Sequence, residues 1–193
     1  KVGATKMDRP EDVQPSLITG KIYAALTNNT NRGVGTNAPA DEANPRNANK
    51  HGHIFEITED KGDHTSESFT WAVPIVCGDP ADPATFFAGY DKTKVSPISC
   101  PDNVAFDSTG NLWVSTDGNA LGSNDGLFAT PIEGPEKKGH LKQFLTVPRG
   151  AETCGPFITE DDKSVFVAVQ HPGELTGASV ENPASNWPDG DIA

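Results

Sequence analysis

The chain is short of cysteine, of basic residues and of long apolar runs, and each shortage excludes a class of protein. No stretch approaches the ~20 apolar residues of a membrane span, so no membrane insertion is expected. The three cysteines, Cys77, Cys100 and Cys154, are too few for a disulfide framework. Free, buried thiols are favoured over an approach of Cys100 to Cys154. The net charge of −12 argues against nucleic acid or anionic lipid as a partner.

Several common catalytic motifs are missing as well. The chain has no Gly-rich phosphate loop, GxSxG elbow, CxxC pair or HExxH helix. An acidic balance suits a cation-binding surface, but it equally suits a merely soluble exported protein. Neither the motifs nor the charge identifies a function, so the next evidence is the pattern of predicted strands.

The most informative stretch, residues 100–118, predicts a β-hairpin. Two short runs rich in β-forming residues flank a turn at residues 108–110, Ser-Thr-Gly. Folding the hairpin about its turn places Asp102 opposite Thr116 and next to Asp117. Two carboxylates then meet at the open end of the hairpin. This end is a candidate cation site.

The same hairpin pattern recurs at residues 10–26 and 155–169, each time with a polar turn and an aromatic or branched second arm. Repeated hairpins with outer strands between them are typical of a propeller or solenoid. Equivalent positions in a propeller converge on one mouth of the central channel, where ligands commonly bind. Glu11 is the aligned counterpart of Asp102, and the third copy has no acid there.

We predict an all-β fold, a partial β-propeller of about three blades, in a single domain over residues 1–193. Closed propellers need roughly four to eight blades, so we expect the C-terminal part of a larger protein. An open half-propeller exposes sheet edges and an apolar face, which the missing N-terminal half or self-association would cover. Long irregular loops are predicted at residues 28–50, functional or disordered, and at residues 77–99, an ordered flap.

Side chains near the hairpin ends allow two interpretations each. Arg9 shares a strand face with Glu11 and could bind phosphate, or the two could form a surface ion pair of little energetic weight. Glu152 lies near the equivalent position of the third hairpin, as a ligand or as a solvated acid. His51 and His53 also share a face, and packing or hydrogen bonding is favoured over metal binding.

Six stretches carry the motifs of one known family in the same order. They are KMDRPEDVQ (6–14), GKIYAALTNNT (20–30), ANPRNANKHGHIFEI (43–57), SCPDNVAFDSTGNLWVSTDG (99–118), residues 124–174 and WPDG (187–190). With these stretches, the chain resembles the C-terminal portion of the PhoX family of bacterial alkaline phosphatases. The resemblance covers most of the chain.

The resemblance implies the last three blades of a six-bladed propeller. It also implies a periplasmic or secreted bacterial phosphomonoesterase that uses calcium (Ca2+) with ferric iron (Fe3+) at one channel mouth. The family's N-terminal half supplies an iron-binding cysteine, and none of the three cysteines here matches it. By this resemblance the site residues are Arg9 and Asn103 for substrate phosphate, and Glu11, Asp102, Asp117 and Glu152 for metal.

Two other functions remain open at this point. One is a propeller hydrolase of lactonase type with a single divalent metal, and the other is a non-catalytic binding module. A phosphatase needs the Arg9 clamp and several ions, whereas a lactonase needs one ion and no phosphate clamp. Phe157 replaces the small or polar residue expected in the third hairpin. The chain alone could therefore keep the fold and lack activity.

Overall fold

The computed structural model describes residues 2–118 and 120–189, and it is an all-β structure with three antiparallel sheets. Gly190, the last residue of the WPDG match, and the end of the predicted domain lie outside the described residues. Two 3-10 turns, Asp60–Gly62 and Lys92–Lys94, interrupt the loops. In the described part of the chain no helix has the length and apolar character needed to cross a membrane.

The three sheets are successive blades, formed in chain order. The first contains β1 (Pro10–Pro15), β2 (Ile22–Leu26), β3 (His53–Glu59), β4 (Phe69–Val76) and β5 (Phe86–Phe87). The second contains β6 (Pro101–Phe106), β7 (Leu112–Thr116), β8 (Gly126–Thr130) and β9 (Lys142–Thr146), and the third contains β10 (Glu152–Ile158) and β11 (Val165–Gln170). This confirms the predicted partial β-propeller with about three blades. Six blades in the whole protein stay a prediction.

The opening strands of the blades lie side by side, because β6 contacts both β1 and β10. A side chain from one blade accepts a backbone hydrogen bond from the next at both junctions. Asp12 accepts from the Val104 N–H at 3.0 Å, and the side-chain oxygen of Asn103 accepts from the Gly155 N–H at 2.7 Å. Asp12 and Asn103 hold equivalent positions in their hairpins. The same kind of hydrogen bond therefore joins the first blade to the second and the second blade to the third.

Each opening strand carries a one-residue β-bulge at the same position. The pairing shifts between Pro10↔Leu26 and Val13↔Ala24, between Pro101↔Thr116 and Val104↔Val114, and between Cys154↔Ala168 and Phe157↔Phe166. The predicted pairing of Asp102 with Thr116 is therefore wrong by one residue, since the bulge absorbs a residue. Asp102 lies inside the bulge, as Glu11 does in the first blade. Bulges beside functional sites commonly re-aim a side chain.

The hydrophobic core lies between the first two blades. Its members are large, almost fully buried side chains from both sheets and from the segment that precedes β6: Tyr23, Ile54, Ile75, Phe87, Ile98, Leu112, Val114 and Leu141. The 77–99 segment supplies Phe87 and Ile98, and its Tyr90 stacks on His140 with ring centroids 4.6 Å apart. The predicted ordered flap is thereby confirmed.

The third blade is thin, with two strands in the described residues, and its aromatic side chains are uncovered. Phe157 and Phe166 are 59% and 60% exposed, although they face each other across the strand pair. In a propeller such a surface normally packs against further strands or a neighbouring blade. The exposed apolar face predicted for an incomplete propeller is therefore present at β10 and β11.

Candidate functional site

The structure brings the predicted charged residues together at the open ends of the hairpins. Arg9 is the centre of this group: its Nε lies 2.8 Å from Oε1 of Glu11, and its Nη2 lies 2.7 Å from Oδ2 of Asp117. The Arg9 side chain is 45% exposed, so it stays accessible to solvent. Arg9 and Glu11 thus form the ion pair that was one of the two interpretations, and phosphate binding by Arg9 stays a prediction. The bond to Asp117 adds a link between the first and second blades.

A strained turn aims Arg9 at its partners. Its backbone has φ 48°, the left-handed region that costs a residue with a Cβ about 1–2 kcal/mol. The Arg9 N–H donates to the Met7 carbonyl at 3.1 Å, and the Arg9 carbonyl accepts from the Thr27 N–H at 3.0 Å. Cys100, which precedes the opening proline of β6 as Arg9 precedes that of β1, has φ 54°. Strained residues of this kind cluster at functional sites.

Asp102 carries the clearest sign of uncompensated negative charge. Burial, and then the negative charges of Asp117, Glu11 and Glu152, raise the pKa of Asp102 to about 6, and the positive charge of Arg9 offsets this only in part. Several carboxylates thus repel one another around one partly buried position. A bound cation would relieve that repulsion.

Asp117, directly after β7 of the second blade, and Glu152, at the start of the third blade, are neighbouring acidic residues. Burial and then the hydrogen bond with Asp117 raise the pKa of Glu152. Burial also acts to raise the pKa of Asp117, but hydrogen bonds with Glu152 and Arg9 outweigh it and lower that pKa overall. The two carboxyl groups therefore influence each other's pKa values in opposite directions.

Asp125 supports this pair, and the sequence analysis missed it. Its carboxylate accepts from the Thr116 hydroxyl at 2.6 Å and from the Gly118 N–H at 3.0 Å. These two bonds fix the backbone on both sides of Asp117. The only signal in the sequence is the position of Asp125 in the turn directly before β8, which by itself predicts no more than a turn.

Glu152 is held by residues of its own blade. Its carboxylate accepts hydrogen bonds from the Gln170 side-chain amide and, at 3.2 Å, from the Cys154 thiol. It also lies 3.5 Å from Nε2 of His171. The other ring nitrogen of His171 lies 2.8 Å from Glu174. The interpretation of Glu152 as a purely solvated acid is therefore not needed, since it packs against Asp117 at the mouth.

An open cleft of about 350 Å³ adjoins the carboxylates. Asp117 and Glu152 form one wall, and Arg149, His171 and Glu174 contribute to the remainder. A space of this size is sufficient for a small organic substrate. The cleft opens beside Arg9's partner Asp117, so a ligand in it could reach the charged cluster.

The acidic residues predicted to bind metal do not form a complete metal site among the described residues. Across residues 2–118 and 120–189, no three His, Cys, Asp or Glu side chains converge as the ligands of one metal ion. Arg9 instead bridges Glu11 and Asp117. The metal roles of Glu11, Asp102, Asp117 and Glu152 therefore stay predictions, and a complete coordination sphere would need further ligands.

The three cysteines differ in their burial. All three are free, Cys77 and Cys100 are buried, and Cys154 is partly exposed beside Glu152. Burial raises the pKa of Cys77 and of Cys154 to about 12 in each case, so both stay protonated thiols. The expectation of free, buried thiols is confirmed for Cys77 and Cys100, whereas Cys154 is less buried than expected.

Three other predicted residues make structural hydrogen bonds. Asn103 uses its side-chain oxygen for the junction with Gly155, so its substrate role stays a prediction. The ring of His51 bonds to Ser99 at 3.0 Å. His53 is fully buried and lies outside the charged cluster. The favoured interpretation of the two histidines, hydrogen bonding within the fold, agrees with these contacts.

Comparison with known proteins gives a family. The family described as alkaline phosphatase PhoX matches residues 1–173. Among solved structures the chain is similar to Pseudomonas fluorescens PhoX in complex with vanadate, a transition state analogue, with 31% sequence identity and a TM-score of 0.76. The likeness covers 98% of this chain and 33% of that one, so the chain spans about a third of its relative. No curated protein sequence matches.

Proposed function

The chain belongs to the PhoX family of alkaline phosphatases, and from that premise we propose that it supplies part of a phosphomonoesterase site. The observation that supports this most is the position of Arg9, which contacts both Glu11 and Asp117. Asp102, whose pKa is raised by burial and by the neighbouring carboxylates, belongs to the same group. The similar solved protein was in complex with vanadate, a transition state analogue. We infer that the mouth of this propeller accepts a phosphoryl group.

Arg9 is proposed to bind the phosphate of the substrate. A guanidinium offers a planar fork of donors that matches phosphate oxygens, and such charge-assisted bonds are among the strongest in proteins. Two of the five guanidinium N–H groups, on Nε and Nη2, donate to Glu11 and Asp117. These contacts hold the guanidinium at the mouth, so that little orientation is left to achieve when substrate binds.

Calcium fits the proposed acidic residues. Glu11, Asp102, Asp117 and Glu152 offer only carboxylate oxygens, the ligands that calcium prefers, and the raised pKa of Asp102 reflects charge that a cation would neutralise. Bound metal would supply charge neutralisation for the phosphoryl oxygens and activate a nucleophile. The described residues hold no three-ligand group for either metal, so further calcium ligands are proposed to come from the rest of the protein as well. Iron ligands are proposed to come from the rest of the protein.

The phosphatase proposal is favoured over the two alternatives. A lactonase-type hydrolase with one metal has no use for an arginine clamped between two carboxylates, and neither it nor a binding module accounts for the family match. We further propose an exported location, periplasmic or secreted. The exposed Phe157 and Phe166 support a partner surface, either the remainder of the propeller or a second copy.

The experiment is a hydrolysis assay on the complete protein that contains this chain. With p-nitrophenyl phosphate and added calcium, Asp102→Asn should lower turnover at least about 100-fold, the upper end of what supporting residues around metal sites cost. The variant keeps the size of the side chain and removes its charge. Asp161→Asn, the same change in the exposed β10–β11 turn, is the matched control and should keep full activity. Near-normal turnover of Asp102→Asn would refute the assignment.

A further inference from the structure

The segment that leads into β1 is held by buried polar side chains of the 28–50 loop. Asp8 is fully buried, and its Oδ1 pairs with Nε of Arg32, which is 3% exposed, at 2.5 Å. Asn29 donates to the same oxygen at 3.0 Å, and Asn49 donates to the other carboxylate oxygen at 3.0 Å. Three side chains of one loop thus converge on a single carboxylate.

The loop also holds the backbone two residues before Asp8. The Lys6 carbonyl accepts from Nη2 of Arg32 at 2.7 Å and from the Asn44 side-chain amide at 3.1 Å. Arg32 therefore contacts the segment at two points, through a carboxylate and through a carbonyl. The predicted loop is neither disordered nor held mainly by apolar packing, because its buried side chains are polar and directed at residues 6 and 8.

The residue that follows Asp8 is Arg9, in its left-handed conformation. Such a conformation persists only when the surroundings over-determine it. The loop fixes the chain before Arg9, and the Thr27 N–H fixes the Arg9 carbonyl on the other side. Arg9 is thus held from both directions in a turn that an L-residue rarely adopts.

A buried ion pair adds little net stability compared with apolar residues of similar size, and its best-attested use is to specify one geometry. We propose that Asp8 and Arg32 are positioning residues for Arg9, locking the turn that directs its guanidinium toward Glu11 and Asp117. This inference rests on the proposed function of Arg9 in phosphate binding. It gives the long loop a role in the site that it does not itself contact.

The test follows the Nε–H signal of Arg9 by NMR in the full chain, with the signal identified by its loss in Arg9→Lys. Asp8→Asn keeps the shape of the buried side chain and removes its charge. The Arg9 signal should move to the position of a freely exposed arginine and lose its protection from solvent exchange. Glu56→Gln is the matched control, since Glu56 is also buried and bonds Tyr23 at 2.6 Å and Lys21 at 3.3 Å. It should lower the melting temperature and leave the Arg9 signal in place.

Two outcomes would overturn the inference: an unchanged Arg9 signal in a folded Asp8→Asn chain, or an equal change in Glu56→Gln. If Asp8→Asn does not fold, Asn29→Ala removes one of the three donors from a half-buried position, and the same comparison applies. Adding vanadate and calcium to the complete wild-type protein that contains this chain separates the two proposals. Failure of vanadate to shift the Arg9 signal would count against phosphate binding, while the response to Asp8→Asn still decides the positioning role.

Discussion

His53 should make the stability of the chain depend on pH. It is fully buried, its Nε2–H donates to the Ala43 carbonyl at 3.0 Å, and its Nδ1 accepts from the Asn49 amide at 3.3 Å. Both ring nitrogens are therefore satisfied in the neutral form. Burial lowers the pKa of His53 from 6.5 to about 4, because a protonated ring would lose its hydration.

The sign and size of the effect follow from this shift. Between the two pKa values the unfolded chain binds a proton at His53 and the folded chain does not, so stability falls as the pH falls. The contribution is fully present above pH 6.5 and is lost progressively toward pH 4. At 1.36 kcal/mol per pKa unit the loss reaches about 3 kcal/mol below pH 4, and about 2 kcal/mol of it is already lost at pH 5.

Urea unfolding at pH 8 and pH 5 measures this loss. Other acids titrate in the same range, so the informative quantity is the difference between wild type and His53→Gln, which removes the titrating ring. Wild type should lose about 2 kcal/mol more than His53→Gln on going from pH 8 to pH 5. Equal losses for wild type and His53→Gln would refute the reasoning.

Two predictions concern the joints of the fold. Asp12→Ala removes the acceptor of the Val104 N–H between two blades and should lower the free energy of unfolding by about 1–3 kcal/mol in urea titrations, whereas no loss would show that the junction is dispensable. Gly52→Ala would place a Cβ 2.2 Å from the Thr27 carbonyl oxygen and 2.3 Å from that of Leu26, at φ 74°, so we expect a loss above about 4 kcal/mol. A normal thermal transition by circular dichroism would contradict this.

The repeated hairpins could be predicted from the sequence because their signals are local. Alternating β-forming residues and polar turns are visible within each hairpin, and the aligned acids Glu11 and Asp102 follow from the alignment of the hairpins. The bulges could not be predicted in this way. One extra residue in an arm leaves the residue pattern nearly unchanged, although it shifts every pairing beyond it.

The sequence pattern predicted that charged residues meet at the hairpin ends, but it did not predict which of them contact one another. Arg9 and Asp117 are 108 residues apart, and their contact depends on how two blades pack. The hydrogen bonds between the 28–50 loop and Asp8 also join residues far apart in the sequence. A segment rich in Asn and Gly has no periodicity from which these bonds could be predicted. Asp125 was missed for the same reason, since its role appears only when Thr116 and Gly118 close around it.

The most direct test of the proposed site is a calorimetric titration with calcium of the complete protein that contains this chain, in parallel for wild type, Asp102→Asn and Asp161→Asn. If the carboxylates at the channel mouth bind the cation, wild type and Asp161→Asn will bind calcium with the same affinity. Asp102→Asn should then bind at least about tenfold more weakly, since a ligand is lost. Equal calcium binding by all three proteins, or none by wild type, would contradict the proposal that this cluster is a metal site.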